Sequence, residues 1–154
     1  MNVGEYCNRD VICINFDKTP LEAARIMRSQ HTGCVVVIEE QDGRPIPISI
    51  LTDRDITLEI VAEEVDPSMV SVLDLNRRSL VKVNEKEDLT ESIAIMKSKG
   101  VRRVPVVDDD GGLVGILALD DYIDYLAEQL NSLVTLFSRE SKNEKAFTNL
   151  AVAG

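Results

Sequence analysis

The apolar positions of this chain change period in an order that occurs twice. A short apolar run, Val11 to Ile14, leads into a segment where Leu21, Ala24 and Met27 recur at helical spacing. Thr19, Pro20 and Glu22 open that helix with a polar cap, a proline in the first turn and an early acid. Cys34 to Ile38 then reads as a buried strand, Gln41-Asp42-Gly43 as a hairpin turn, and Ile48 to Leu51 as a third strand before a helix starting near Asp53. The same order returns downstream. Leu80 to Val83 is apolar, Asp88 and Glu91 form a capping-box-like pair, and Ile93 and Met96 keep helical spacing. Val104 to Val107, the turn Asp110-Gly111-Gly112, Val114 to Leu117 and a helix near Asp120 complete the second round.

A shift of about 69 residues superposes the halves and makes about ten of some forty positions identical, a periodicity that marks repeat architecture. Val3 falls on Val72, Arg9 on Arg78 and Asn15 on Asn84. Glu22, Ile26, Met27 and Ser29 fall on Glu91, Ile95, Met96 and Ser98; Val35, Val37 and Gly43 fall on Val104, Val106 and Gly112. The register breaks only after Gly43, where the first half carries a short insertion around Pro45, Ile46 and Pro47. Neither half is long enough to cover both faces of its own small sheet, which predicts an α/β (α+β) fold of two pseudo-symmetric β-α-β-β-α units packed sheet to sheet. The expected organisation is residues 1–66 for the first repeat, 67–128 for the second and 129–154 for a C-terminal extension. A crevice beside the pseudo-two-fold axis is a natural ligand site.

Beyond Tyr122 an apolar stripe continues through Ile123, Leu126, Leu130, Leu133, Val134 and Phe137. The second repeat cannot use all of it, so contact with another copy is expected. From about Ser138 the chain turns polar and then small, which predicts a frayed, flexible tail.

Composition narrows the function. The net charge is −10 over 154 residues, against a general nucleic-acid binder or docking on anionic membranes. A small anionic ligand remains compatible, because it needs only a local group of arginines. Aromatics are 4% and Trp is absent, so the core must be built from Val, Ile, Leu and Met. Cys7, Cys13 and Cys34 form neither a paired framework nor a zinc spacing, and reduced thiols in the cytoplasm are the expected state. No signal-peptide pattern and no apolar run of membrane-spanning length is seen.

The second repeat, from Met96-Lys97-Ser98-Lys99-Gly100-Val101-Arg102-Arg103-Val104-Pro105-Val106-Val107-Asp108 to Gly112-Leu113-Val114-Gly115-Ile116-Leu117, resembles the CBS-domain family. The first resembles it through Met27, Cys34 to Ile38, Gly43 and Ser49-Ile50-Leu51-Thr52-Asp53-Arg54-Asp55-Ile56. The resemblance covers about residues 1 to 127 and extends to small stand-alone bacterial proteins made of such a pair plus a C-terminal helix. It implies a tandem pair (a Bateman module), often assembled as a homodimer of pairs. It also implies an adenosine-containing ligand such as AMP, ADP, ATP or S-adenosylmethionine.

The family's ribose motif, Ser or Thr followed three residues later by Asp, is matched by Thr52 and Asp55; a carboxylate accepts both hydroxyls of a cis-diol. The plain structural alternative is helix capping by the same pair, and the two roles are compatible. Asp121 occupies the matching place in the second repeat, but Ala118 stands where the hydroxyl belongs, so the first site is favoured. Arg54, Arg77, Arg78, Arg102 and Arg103 gather near the implied cleft as phosphate candidates, Arg102 foremost, against ordinary surface ion pairing. His31, the only histidine, stands where the first helix ends, at a place the family uses near phosphate; capping a helix C-terminus is its structural alternative. By the resemblance Val81 and Val101 would flank an adenine ring, with Lys82 a possible obstruction, and as apolar strand residues they also suit a core.

No nucleophile–base pair, P-loop, dinucleotide fingerprint or metal motif is present, and Asp108-Asp109-Asp110 reads as a solvated hairpin tip since the EF-hand spacing is missing. The chain is therefore expected to be a non-enzymatic sensor of an adenine nucleotide or adenosyl ligand, needing no cofactor. The rival expectation is a ligand-free dimeric scaffold that binds an unknown protein partner through the C-terminal helix.

Overall fold

The computed structural model describes residues 1–75 and 78–152. The chain forms two units, residues 1–118 and the helix that follows. The first unit holds two three-stranded sheets. One is β1 (Cys13–Asn15), β2 (Cys34–Gln41) and β3 (Arg44–Thr52), with α2 (Pro20–Gln30) crossing between the parallel strands β1 and β2. The other repeats it as β4 (Val83–Asn84), β5 (Arg103–Val107) and β6 (Leu113–Ala118), with α4 (Leu89–Lys99) as the crossover. Each second pair of strands is an antiparallel hairpin, and the two sheets meet where β3 packs against β6.

The insertion after Gly43 lengthens the first hairpin. Asp42 and Gly43 have φ of 52° and 76°, the primed turn that an Asp-Gly pair favours. Pro45 and Pro47 lie on β3, which is an edge strand and so tolerates residues without a ladder N–H. A register shift between Val37 and Ile38 recurs at the equivalent Val106 and Val107, so it belongs to the repeat and the insertion simply extends the hairpin. The helix faces differ from the periodic reading: Pro20, Ala23 and Met27 are buried on α2, while Leu21 and Ala24 are only half-buried. On α4 the same positions, Leu89, Ser92 and Met96, are buried.

A short helix, α1 (Val3–Tyr6), precedes these elements, and a 3₁₀ turn at Val72–Asp74 is its counterpart in the second round. Both carry a capping box, Asn2 with Glu5 and Ser71 with Asp74. Each packs on the other repeat. The Val3 N–H donates to the Glu87 carbonyl at 2.9 Å, and the Val72 N–H donates to the Lys18 carbonyl at 2.8 Å. Lys18 and Glu87 are themselves equivalent, so one hydrogen bond is made twice with the repeats exchanged. Val3 and Val72 are both fully buried, and Val72 and Leu75 join the first core with Ile14, Ala23, Met27, Val35, Val37 and Leu51. Behind α1, Asn8 bridges Ile116 on β6. Only glycine fits at Gly115 there, since a Cβ would lie 2.6 Å from Cys7 Sγ and 2.8 Å from the Asn8 carbonyl oxygen.

The second unit is α5 (Leu119–Val152), one helix of 34 residues. It continues through Ser138, where the sequence predicts fraying. No glycine or proline interrupts it, and Phe147 and Leu150 resume the apolar pattern near its end. No helix is long and apolar enough to cross a membrane among the described residues.

Two outcomes test the packing. Val3→Ala and Val72→Ala should each cost about 2 kcal/mol, because each removes buried atoms from the opposite core. That lowers the melting temperature by about 6 °C; losses under one degree would show that the exchange contributes little. Ser92 Oγ is buried with no hydrogen-bond partner among the described residues, whereas its counterpart Ala23 is apolar. Ser92→Ala should therefore raise stability by about 1 kcal/mol, read in the same melting assay.

Candidate functional site

Two equivalent corners, where the crossover helix ends and the hairpin's last strand gives way to the next helix, hold or adjoin the described residues among those predicted to bind ligand. In the first repeat α2 closes with His31 in the left-handed conformation, φ 52° and ψ 42°. In the second, Gly100 closes α4 at φ 65° and ψ 32°. The same closing bond follows in each: the Thr32 N–H donates to the Met27 carbonyl and the Val101 N–H to the Met96 carbonyl, both at 3.0 Å. His31 thus takes the role that its sequence position allowed, a helix C-cap, while its exposed ring faces solvent.

The loop from His31 to Gly33 is held against α3 (Asp53–Ile56), whose Asp53 N–H donates to the Gly33 carbonyl at 2.9 Å. Thr52, paired with Cys34 across the hairpin, caps that helix. The Asp55 N–H donates to Thr52 Oγ1 at 3.1 Å, and the Thr52 N–H donates back to Asp55 Oδ2 at 2.9 Å. The capping alternative is therefore realised in full, and it leaves room for the other. A carboxylate accepts about four hydrogen bonds over its two oxygens, and capping uses one. Asp55 is half-buried and Arg54 beside it is exposed. The helix continues as a π-helical turn, Thr57–Val61, a distortion that often lies at functional positions.

At the second corner Arg103 opens β5 and pairs with Ala118 at the end of β6. Ala118 stands where Thr52 stands, so no side-chain oxygen is present to build the reciprocal cap. Arg102 and Arg103 are exposed, and Val101 is half-buried. Val81 is half-buried on the segment entering β4, which lies parallel to β5, so Val81 and Val101 approach one end of the same strand pair. Lys82 and Arg78 are exposed. Asp121 lies in the first turn of α5 with Asp120 and is exposed. Arg77 lies outside the described residues.

The three aspartates of the second hairpin tip are engaged by bases that sequence reading did not connect to them. Arg44, from the first hairpin, pairs with Asp108 and reaches Asp110 Oδ2 through Nη1 at 2.9 Å. Lys86 pairs with Asp109. Asp108 and Asp110 thus tie the second repeat's hairpin to the first's, while Asp109 is held within its own repeat. Among the described residues no group of three His, Cys, Asp or Glu side chains is placed to hold a metal ion. Burial pushes the Cys13 thiol up, and burial does the same to Cys7 against a smaller opposing pull from Arg9.

Several acids are held below the ordinary carboxylate range. The Thr19 N–H does this to Glu22, the Thr90 N–H to Asp88, and Lys86 followed by Asn84 to Asp109. Folded-state values below the unfolded ones give stability that is present above about pH 4 and lost as pH falls through the folded values. The melting temperature should hold from pH 7 to about 5 and drop below about 4. Glu22→Gln should flatten that drop in part; an unchanged acid limb would remove the Glu22 cap as a contributor.

The CBS domain sequence model matches residues 3–62 and again 72–128. An uncharacterized protein of Methanopyrus kandleri is 34% identical over 143 residues, covering 91% of this chain and 71% of that protein. Hypoxic response protein 1 of Mycobacterium tuberculosis is 31% identical over 121 residues, covering 79% of this chain and 82% of that protein. Among solved structures, Hypoxic Response Protein I, crystallised with two coordinated zinc ions, aligns with a TM-score of 0.70 at 28% identity, over 80% of this chain and 98% of that one. A CBS domain protein of Pyrobaculum aerophilum, solved in complex with AMP, aligns with a TM-score of 0.69 at 23% identity, over 79% of this chain and 89% of that one. The two matched segments each contain one sheet with its crossover helix and one of the two equivalent corners, and the chain belongs to the CBS domain family as a tandem pair of repeats.

Proposed function

We propose that this tandem pair is a regulatory module that binds an adenine nucleotide or adenosyl ligand between its repeats, with AMP, ADP, ATP and S-adenosylmethionine as the candidates. The observation that carries the reading is the Thr52–Asp55 pair, a reciprocal cap whose carboxylate keeps acceptor capacity for a ribose diol. Arg54 stands in the same helical turn, and Arg102, with Arg77, supplies further guanidinium groups for phosphate. His31 borders the same corner, Val81 and Val101 offer apolar faces for a base, and Asp121 is the weaker second acceptor. The AMP complex of the Pyrobaculum aerophilum relative supports the ligand class. No catalytic step is assigned. Regulation requires only that the ligand bind one arrangement of the repeats better than another, an arrangement that a partner reads. The reading takes the protein to act as a cytoplasmic homodimer.

A ligand-free scaffold is the second reading, favoured by Ala118 in place of a hydroxyl residue and by the long exposed α5.

Thermal melting with each of the four ligands at millimolar concentration separates the two. At about 100 times its dissociation constant a ligand adds about 2.7 kcal/mol, a shift of several degrees. Asp55→Ala should abolish the shift and also lower the ligand-free melting temperature through the lost cap, whereas Asp55→Asn keeps an oxygen for the Thr52 N–H and should lose mainly affinity. No shift with any ligand would favour the scaffold.

A further inference from the structure

Arg44 opens β3, and its guanidinium crosses from the first hairpin to the second, donating to Asp108 through Nη2 and to Asp110 through Nη1. Exposed ion pairs ordinarily contribute little; the exceptions are forked arginines and networks whose members are held in place. Asp108 is so held. Its Oδ1 accepts from the Asp110 and Gly112 N–H groups at 3.0 and 2.9 Å, which leaves Oδ2 for Arg44. Its side chain is 24% exposed, against 44% for Arg44 and 80% for Asp110. Room for the fork comes from Gly112. A Cβ there would lie 2.9 Å from Arg44 Nη2 and 3.0 Å from Asp108 Oδ2, whereas at the equivalent Gly43 it would meet nothing within 4 Å. Gly43 serves a left-handed turn and Gly112 does not, so the second glycine supplies space.

The fork has no reciprocal. On the repeat offset Leu113 stands at the place of Arg44, and Glu39 and Gln41 at the places of Asp108 and Asp110. Val3 and Val72 are exchanged evenly between the repeats, but the hairpins are tied from one side, through β3, the strand that packs against β6. We propose that the Arg44 fork is an ionic latch between the repeats. Closed, it fixes the pose of the first sheet on the second through β3 and β6. Screened by salt, it opens and lets the hairpins shift while Val3 and Val72 stay buried. From about 0.1 M to about 1 M salt the screening length falls from about 10 Å to about 3 Å, and the exposed Asp110 contact yields before the sheltered Asp108 contact. Neither state requires a bound ligand.

Amide NMR spectra of the isotope-labelled full chain test it. Gly112→Ala displaces the guanidinium without changing any charge, and the atoms that must move are the ends of flexible side chains. Arg44→Gln removes the fork outright. Both should move the amide signals of Ile48 and Ile50 on β3 and of Ile116 and Leu117 on β6. Raising salt from about 0.1 M to about 1 M should move the wild-type signals along the same lines and leave those of the two variants nearly in place. Lys86→Gln, which removes the neighbouring pair within the second repeat, should not disturb them. In melting at about 0.1 M salt, Arg44→Gln combined with Asp108→Asn should lose about 3 °C less than the sum of the two single losses, because Asn keeps the oxygen that the backbone N–H groups use. Variant shifts confined to the hairpin tips overturn the latch, as do variant and salt shifts along different lines. Wild-type signals indifferent to salt overturn release by screening, and additive melting losses overturn the pairing itself.

Discussion

The contact on which the rest of the first unit depends is the exchange of Val3 and Val72. Val72 is buried in the core of the first repeat and Val3 is fully buried where α1 packs on α4, β4 and β6 of the second, and each holds its place with the same backbone hydrogen bond, to Lys18 or to Glu87. A repeat of this size has too little surface to close its own sheet. The exchange solves that problem symmetrically, because whatever one repeat lends it receives back. The exposed carbonyl at the start of each crossover helix is satisfied, and the open end of each core is plugged. Gly115 is a consequence: the segment behind α1 approaches β6 so closely that no side chain fits.

The corners lie at the other end of the crossover helices. Each helix ends in a left-handed turn, at His31 and at Gly100, and the following loop runs directly into the buried strand. In the first repeat this brings the His31–Gly33 loop against Asp53 and places Thr52 and Asp55 at the helix start. Asp55 serves the fold through one oxygen. The ligand role proposed for it draws on the acceptor capacity that remains, so capping orients the carboxylate for binding at little added cost. The second corner has the same backbone with Ala118 for Thr52. The fold tolerates that loss, and a repeat without the hydroxyl need not carry a second site.

Much of this was legible because each unit is written twice. The offset located Val3 and Val72 as equivalents, the turns at Gly43 and Gly112, the cap at Thr52 and the empty place at Ala118. Four features were not legible, for physical reasons. The exchange is a choice between packing a leader on its own repeat or on the other, and both choices leave the same apolar pattern. The buried faces of α2 and α4 were misplaced by one position, since Ala23 and Ser92 are small or polar and gave no signal beside Leu21 and Ile93. The pairing of Arg44 with Asp108 and Asp110 joins residues far apart in sequence, and an arginine inside an insertion has no counterpart in the other repeat to call attention to it. The persistence of α5 past Ser138 belongs with these: polar composition suggested fraying, while the absence of any glycine or proline in the segment permits an uninterrupted helix.

These constraints limit how a bound ligand can act. Pulling the repeats apart would expose Val3 and Val72 together, about 2 kcal/mol each, with two backbone hydrogen bonds exchanged for bonds to water at about 0.5–1.5 kcal/mol each. Breaking the hairpin-tip pairs of Arg44 would come on top. A micromolar ligand supplies about 8 kcal/mol in all, and only the part that differs between two arrangements can move an equilibrium. Separation would therefore consume most of the binding free energy. An arrangement that keeps both valines buried avoids that cost. On the regulatory reading proposed above, the arrangements that a ligand distinguishes would both leave the shared cores closed.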